Sequence, residues 1–161
     1  MPSALHDQIA QHFASLGFRI PGTRPTLREA LGRRFGVHPR ALQRGYLQLP
    51  IPDAWIFDVE YRTLVCVEVD ITHRANLSKY QDLWAWLEPE DWRLYVVRAN
   101  HEGLVWPVSI ETACLLDEAF SHLEGNPVPV DRYRWNAVLG KHGVFLHWPQ
   151  PLFTDDGEPP P

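Results

Sequence analysis

Several features that define large classes of protein are scarce or missing in this chain. Its two cysteines, Cys66 and Cys114, have neither the spacing of a zinc site nor the partners of a disulfide framework, and both are expected to be small core residues. No run of about eighteen apolar residues occurs, and no basic stretch leads into an apolar one at the N-terminus. We therefore expect a cytoplasmic protein that does not enter a membrane.

The sequence also lacks an internal repeat, a glycine-rich phosphate loop and histidines at metal-ligand spacing, so His142 and His147 are expected to be structural. Apolar residues, in contrast, make up 45% of the 161 residues and include seven tryptophans, which is enough for the core of one domain. We predict a single domain over residues 1–150, made of a helical, arginine-rich part (1–48), an α/β core (49–125) and a C-terminal extension (126–150). Residues 151–161 are expected to form a flexible tail.

The charge is distributed unevenly along the chain. The net charge is −5, yet residues 19–46 contain seven arginines and one acid, a local balance of +6 that leaves −11 for the remainder. A basic face on an acidic body attracts phosphate backbones, which favours a nucleic-acid partner. The alternative is a solvated, arginine-rich pair of helices without such a partner.

Three helices are predicted in the N-terminal part. Apolar residues at helical spacing indicate a first helix over about residues 3–16, which ends at Gly17. Thr26 has the position of an N-cap for a second helix over residues 27–35. A third helix is expected to begin near His38.

The second and third of these helices resemble a helix-turn-helix over about twenty residues, because a glycine-containing turn separates two short apolar faces. In that motif the second helix offers its outer face to the major groove, which would bring Arg40 and Arg44 to DNA. Arg33 and Arg34, at the end of the preceding helix, would hold DNA as well. The alternative is a plain helical hairpin packed on the core.

An extended pattern replaces the helical one in the middle of the chain. Apolar runs predict strands over residues 55–59, 63–71 and 92–98. An amphipathic helix over residues 75–87 connects the last two, and a strand-helix-strand crossover of this length implies a parallel pair. Further on we expect a helix over residues 109–123, a short element over 133–139 and an edge strand over 144–148. The pattern predicts the α/β class, with a central mixed sheet flanked by helices.

Two carboxylates lie inside the most apolar of these strands. Side chains alternate along a strand, so Glu68 and Asp70 point to the same side, roughly 7 Å apart, and share it with Leu64 and Cys66. An ionised carboxylate is costly to bury, and two of them repel each other. Either a cation lies between them or one of them holds a proton, and both arrangements are typical of a functional site.

The motif Pro52-Asp53 precedes this strand, with Asp53 fifteen residues before Glu68, and the triplet Glu68-Val69-Asp70 is followed by an amphipathic helix and a strand. Over about 45 residues this arrangement resembles the PD-(D/E)xK nuclease superfamily. The resemblance implies a restriction-endonuclease-like fold in which Asp53 and Glu68 bind Mg²⁺ or Mn²⁺, with the Val69 carbonyl as a further ligand. Hard oxygen ligands of this kind suit both ions.

The third position of the family motif, normally lysine, is Asp70 in this chain. Asp70 is expected to be either a third metal ligand or a cap that faces the following loop, and the missing ammonium group is expected to come from Lys79 in the following helix. Lys79 is one of two lysines in the chain, and it flanks the apolar face of that helix, so its stem must reach inward. The alternative for Lys79 is a solvated side chain.

The resemblance implies a magnesium-dependent nuclease that hydrolyses DNA phosphodiester bonds. His73 and Arg74, in the loop after the carboxylate strand, would contact phosphate. A homodimer is consistent with this function, because double-strand cutters of this fold often pair. One alternative is a nuclease-like module that has lost catalysis and binds DNA or protein. Another is a structural component of a phage or mobile-element assembly.

Overall fold

A four-stranded mixed sheet lies at the centre of the fold. The structure is a computed structural model, and it describes residues 4–36, 49–70, 77–100, 105–108 and 132–145. The strands are β1 (Ala54–Asp58), β2 (Thr63–Asp70), β3 (Arg93–Asn100) and β4 (Val105–Val108), in this order across the sheet. β2 and β3 are parallel, whereas the outer pairs are antiparallel. The expected α/β class with a central mixed sheet is confirmed.

Four α-helices flank the sheet in the described residues: α1 (Ala4–Ser15), α2 (Leu27–Phe35), α3 (Gln81–Leu87) and α4 (Arg132–Lys141). None of these four is long and apolar enough to cross a membrane. α1 ends before Gly17, whose φ of +100° is a conformation that glycine adopts without strain. α2 begins where predicted, because the Thr26 side chain accepts a hydrogen bond from the amide of Glu29 at 3.2 Å.

The two faces of the sheet are covered by different helices. Along β2, Leu64 and Cys66 face a cluster formed with α2 and α3, whereas Val65 and Val67 face a cluster formed with α1 and α4. Burial on both faces explains why β2 is apolar over most of its length. The closely packed sheet is a rigid support for the side chains at its ends.

The described part of the connection between β2 and β3 is a 3₁₀ turn followed by a short α-helix, and not the single helix expected over residues 75–87. The turn covers Leu77–Tyr80, and α3 follows directly. Tyr80 and Trp86 are buried, whereas Trp84 is only partly buried. A 3₁₀ helix has three residues per turn instead of 3.6, and this difference changes which residues of α3 face the core. The parallel pairing that this crossover predicts is confirmed.

The C-terminal part differs from the expectation in two places. β4 is a strand that the sequence pattern did not indicate, since it contains Pro107; the structure places it at the edge of the sheet, where proline is tolerated. Val144 and Phe145, the start of the expected edge strand, follow α4 without forming a strand. Three predicted segments lie outside the described residues: the helix near His38, the helix over 109–123 and the tail over 151–161. The division of the chain into one domain therefore stays a prediction.

Candidate functional site

Asp53 and Glu68 meet at one end of the β1–β2 pair. β1 begins at Ala54, the register partner of Val67, so the antiparallel pairing continued by one position places Asp53 opposite Glu68. The amide of Asp53 donates a hydrogen bond to the Val67 carbonyl at 2.9 Å, which extends the ladder to this position. The two carboxylates that the motif predicts as metal ligands are therefore neighbours on adjacent strands.

Both oxygens of Asp53 are in contact with nitrogen atoms of the protein. The amide of Val69 donates a hydrogen bond to Oδ2 at 2.8 Å, and Nε2 of His6, near the start of α1, lies 3.1 Å from Oδ1. The Asp53 side chain is still 21% exposed, so a ligand in solution can reach it. These contacts hold the carboxylate in one orientation at the rim of the sheet.

Glu68 is a buried carboxylate with two donors on one oxygen. Its exposed fraction is 4%. The Tyr80 hydroxyl donates a hydrogen bond to Oε1 at 2.5 Å, and Nζ of Lys79 lies 2.7 Å from the same oxygen. The Lys79 side chain is 38% exposed, so its stem runs from the surface of the 3₁₀ turn to the buried acid. No donor to Oε2 is found in the described part of the chain.

The pKa of Glu68 reflects both its burial and its neighbours. Burial raises the pKa of Glu68 above its ordinary value of 4.5, the hydrogen bonds from Lys79 and Tyr80 lower it, and the charge of Asp53 raises it. Burial also raises the pKa of Tyr80 and that of the Cys66 thiol well above their ordinary values. Tyr80 therefore stays protonated at neutral pH and remains a donor to Glu68. A cation beside Glu68 would favour its charged form against the effect of burial.

Two residues that the sequence pattern did not single out belong to the surroundings of this site. One is His6, through its contact with Asp53. The other is Arg98, which is 1% exposed and is the register partner of Glu68 on β3. A charged residue within an apolar strand is the signal that could have identified Arg98, as it identified Glu68. His6 has no such local signal, because its contact depends on how α1 packs against the sheet.

The donors of the site suit a hydrated divalent cation better than a closed metal cage. Among the side chains that the structure describes, no group of three or more His, Cys, Asp or Glu is arranged to hold a metal ion. Asp53 and Glu68 supply two carboxylates, and Mg²⁺ is commonly bound through one or two carboxylates while it keeps several waters. The exposed rim at Asp53 leaves room for such waters. The chemistry of these two donors therefore fits Mg²⁺ or Mn²⁺.

Two further predicted site residues, Arg33 and Arg34, are not brought to the carboxylates in the part of the chain that the structure describes. Arg33 and Arg34 lie in the last turn of α2, and neither contacts Asp53 or Glu68 within the described ranges. Arg34 lies over the ring of Trp92, 5.3 Å from its centroid. The proposed roles of five further groups fall outside the described atoms and stay predictions: the Asp70 side chain, Arg40, Arg44, His73 and Arg74.

A second cluster of charged side chains, the Asp58 clamp, lies at the opposite end of β1. Asp58 is 2% exposed, and its Oδ1 accepts a hydrogen bond from the Tyr61 amide at 2.8 Å. Its Oδ2 lies 3.1 Å from Nζ of Lys141 and 2.6 Å from Nε2 of His142. Nζ of Lys141 also contacts Oε2 of Glu60 at 2.7 Å. These contacts join the β1–β2 turn to the end of α4, which is the structural role expected for His142.

Comparison with known proteins adds one distant similarity of fold. The chain is similar to the structure of an N-terminal domain of a reptarenavirus L protein, with a TM-score of 0.43 and 18% sequence identity. The match covers 62% of this chain and 50% of that chain, so this chain spans about half of its length. No protein-family model and no curated protein matches the sequence. The function must therefore be argued from the contacts of this chain itself.

Proposed function

We propose that the chain is a metal-dependent nuclease that hydrolyses DNA phosphodiester bonds on a restriction-endonuclease-like fold. The observation that carries this proposal is the placement of Lys79 Nζ 2.7 Å from a carboxylate, Glu68, that stands opposite Asp53. Two neighbouring carboxylates can hold a metal ion, and an ammonium group beside them can stabilise negative charge on a phosphate, which are two contributions that a protein can make to phosphodiester hydrolysis.

Asp53 and Glu68 would hold Mg²⁺ or Mn²⁺, with Asp70 and the Val69 carbonyl completing the ligand set. When bound, the ion would polarise the phosphate and lower the pKa of a water, which makes that water a nucleophile at neutral pH. The protein's contribution is to hold the two carboxylates before the ion arrives. The Val69 amide and His6 orient Asp53, and Tyr80 orients Glu68.

Lys79 would stabilise the negative charge that develops on the phosphate during hydrolysis. In the family motif this charge is met by a lysine two positions after the glutamate, where this chain has Asp70. The 3₁₀ turn brings the Lys79 ammonium group to the side of Glu68 from the following segment. An ammonium group on a flexible stem can serve the same reaction from either position, because its interaction with phosphate is that of a point charge.

The arginine-rich part of the chain would supply the contacts that hold DNA. Arg33 and Arg34 end α2, and both are exposed. Arg40, Arg44, His73 and Arg74 are the other proposed phosphate contacts. Exposed arginines add affinity for any sequence, because they neutralise phosphates and release counterions. Pairing of two copies would allow both strands of a duplex to be cut.

The proposal is tested with purified protein and linear, branched and single-stranded DNA in Mg²⁺ or Mn²⁺. We expect cleavage by the wild type and none by Asp53→Asn or Glu68→Gln, while Glu60→Gln, which removes an exposed acid from the Asp58 clamp, cleaves at nearly the wild-type rate. Calorimetry of Mn²⁺ binding is the second measurement. Absence of cleavage together with absence of binding of either ion would refute the proposal.

A second candidate is a module that binds DNA without cutting it. The absence of a lysine two positions after Glu68, where the family motif has one and this chain has Asp70, favours it. One measurement separates the two candidates. If the protein is a DNA-binding module, the wild type, Asp53→Asn and Glu68→Gln all bind DNA equally well, and none of them cuts it.

A further inference from the structure

A cavity of about 440 Å³ is lined by Pro52, the residue before Asp53 in the sequence. The reaction proposed above does not use this cavity. It is enclosed by the loop between α1 and α2, the first turn of α2 and the segment before β1. Its walls are mainly apolar and include Ile20, Leu27, Ile51, Pro52 and Trp55. An apolar cavity of this size with a few polar groups is typical of a site for a small molecule or for one unit of a polymer.

The cavity is on the same face of the sheet as the carboxylates. Side chains alternate along β1, so Asp53 and Trp55 project to one side, roughly 7 Å apart along the strand. Trp55 belongs to the cluster that also contains Tyr80, the donor to Glu68. A phosphate held at Asp53 would therefore lie roughly one or two nucleotides from the cavity along a bound strand.

The charge around the cavity fits a polyanion. Among the described residues that line it, Arg28 is charged and none is an acid. Residues 19–36 contain five arginines and one acid, Glu29. That acid is itself in contact with Arg24 at 4.0 Å and with the Thr26 hydroxyl at 3.2 Å. An apolar interior below a positive mouth suits a ligand that is flat and apolar at one end and anionic at the other.

The mouth of the cavity also exposes apolar surface to solvent. Ile51 lines the cavity and is 76% exposed, one position before the Pro52-Asp53 motif. A single exposed aliphatic side chain is common on proteins. Here it borders an apolar cavity beside a carboxylate site, and a ligand entering the cavity would cover it.

We propose that this cavity receives an unpaired nucleobase of the strand whose phosphate lies at Asp53 and Glu68. The inference rests on the proposed nuclease function and narrows its substrate to single-stranded or locally unpaired nucleic acid. A base within a duplex cannot enter a cavity unless it leaves the stack, which has an energetic cost, whereas an unpaired base enters freely. The base would supply affinity by burying its faces, and Arg28 would supply a contact to phosphate.

The test compares two fluorescein-labelled strands of twelve thymidine nucleotides by anisotropy, one complete and one with abasic sites at its centre. We expect the full-length wild type to bind the complete strand about tenfold more tightly. Ile51→Glu is expected to remove this preference, because it places a charge at the mouth of the cavity. Val59→Glu is the matched control: Val59 is 59% exposed at the other end of β1, and the variant should keep the preference.

The readout is the ratio of the two affinities. Repulsion between the added charge and the phosphates is the same for both strands and cancels in this ratio, whereas loss of the base site weakens only the strand that has bases. Equal binding of both strands by the wild type, or an unchanged ratio in Ile51→Glu, overturns the proposal. Cleavage of the complete strand with Mn²⁺ is followed in parallel. A protein that prefers the complete strand but cuts neither keeps the base site and loses the nuclease proposal. A protein that cuts DNA but binds both strands equally keeps the nuclease proposal and loses the base site.

Discussion

Glu68 and Asp58 are both buried acids of the sheet, and each contacts one of the two lysines of the chain, but their oxygens are used differently. Asp58 has donors on both oxygens: the Tyr61 amide on Oδ1, and Lys141 and His142 on Oδ2. Glu68 has both of its donors on Oε1. The lysine side chains are almost equally exposed, at 38% and 39%.

The pKa values of the two acids move in opposite directions as a result. For both, the largest effect is burial, which raises the pKa. At Asp58 the hydrogen bonds from Tyr61, Lys141 and His142 outweigh burial, and the pKa falls below its ordinary value. At Glu68 burial prevails and the pKa rises. At Asp58 the hydrogen bonds thus prevail over burial, whereas at Glu68 burial prevails over them, and perturbed acids of the second kind are often found at functional sites.

The largest expected effect separates the two lysines. Lys79→Met should lower the rate of DNA cleavage by on the order of a hundredfold or more, because the charge opposite the phosphate is lost. Lys141→Met makes the same change in the Asp58 clamp and should leave the rate per folded molecule nearly unchanged. Initial rates in Mg²⁺, with the folded fraction measured by circular dichroism, test this. An equal loss of cleavage rate in both variants would contradict the assignment of a catalytic role to Lys79 and a structural role to Lys141.

The next effect concerns the stability of the fold. Asp58→Ala should lower the free energy of unfolding by about 2 kcal/mol, because it removes a buried acceptor that serves several donors. Glu68→Ala should lower the free energy of unfolding less, because it removes a charge whose burial is itself unfavourable. Urea denaturation of both variants at neutral pH measures the difference. A larger loss for Glu68→Ala would reverse the assignment of the two roles.

A smaller effect is expected for Tyr80→Phe, which removes only the hydroxyl that donates to Glu68. The hydrogen bond contributes about 1 kcal/mol to folding. Since Tyr80 lowers the pKa of Glu68, its removal should raise that pKa and move the acidic limb of the rate profile to higher pH. The rate of cleavage is measured against pH for both proteins. A lower rate with an unmoved acidic limb would mean that Tyr80 acts only in packing.

The smallest effect is the dependence of stability on pH. Asp58, with its lowered pKa, contributes stability fully above 3.8, and this contribution is lost as pH falls through the folded pKa. Glu68, with its raised pKa, behaves in the opposite sense: the contribution of its neutral form is present below 4.5 and is lost as pH rises through the folded pKa. The stability of Glu68→Gln relative to wild type should therefore increase from acid to neutral pH, and that of Asp58→Asn should decrease. Parallel curves from chemical denaturation would contradict this.

The sequence predicts those parts of the fold that depend on local chemistry. The start of α2 follows from the Thr26 cap, and the parallel pairing of β2 with β3 follows from the length of the crossover. Glu68 could be recognised because a charge inside an apolar strand is unusual. The sequence does not predict which residues of the segment after β2 face the core, because nothing local distinguishes a 3₁₀ turn at Leu77–Tyr80 from the start of an α-helix.

Contacts between distant parts of the chain could not be predicted in the same way. His6 meets Asp53 across 47 positions, and Asp58 meets His142 across 84. His6, Asp58 and His142 have no unusual feature in their own segments, and although the motif identifies Asp53, nothing local connects it with His6. Lys79 is intermediate: its place beside the apolar face could be derived, but the distance to Glu68 depends on how its stem folds over the 3₁₀ turn.

The span of the Asp58 clamp has a consequence for the order in which the molecule assembles. A contact across 84 positions closes a long loop, which has an entropic cost. Packing of α4 offsets this cost only after the sheet surface that it covers has formed. We therefore expect α4 to dock last and to detach first. Its amide protons should exchange with deuterium through a partial opening that leaves the amides of β2 and β3 protected.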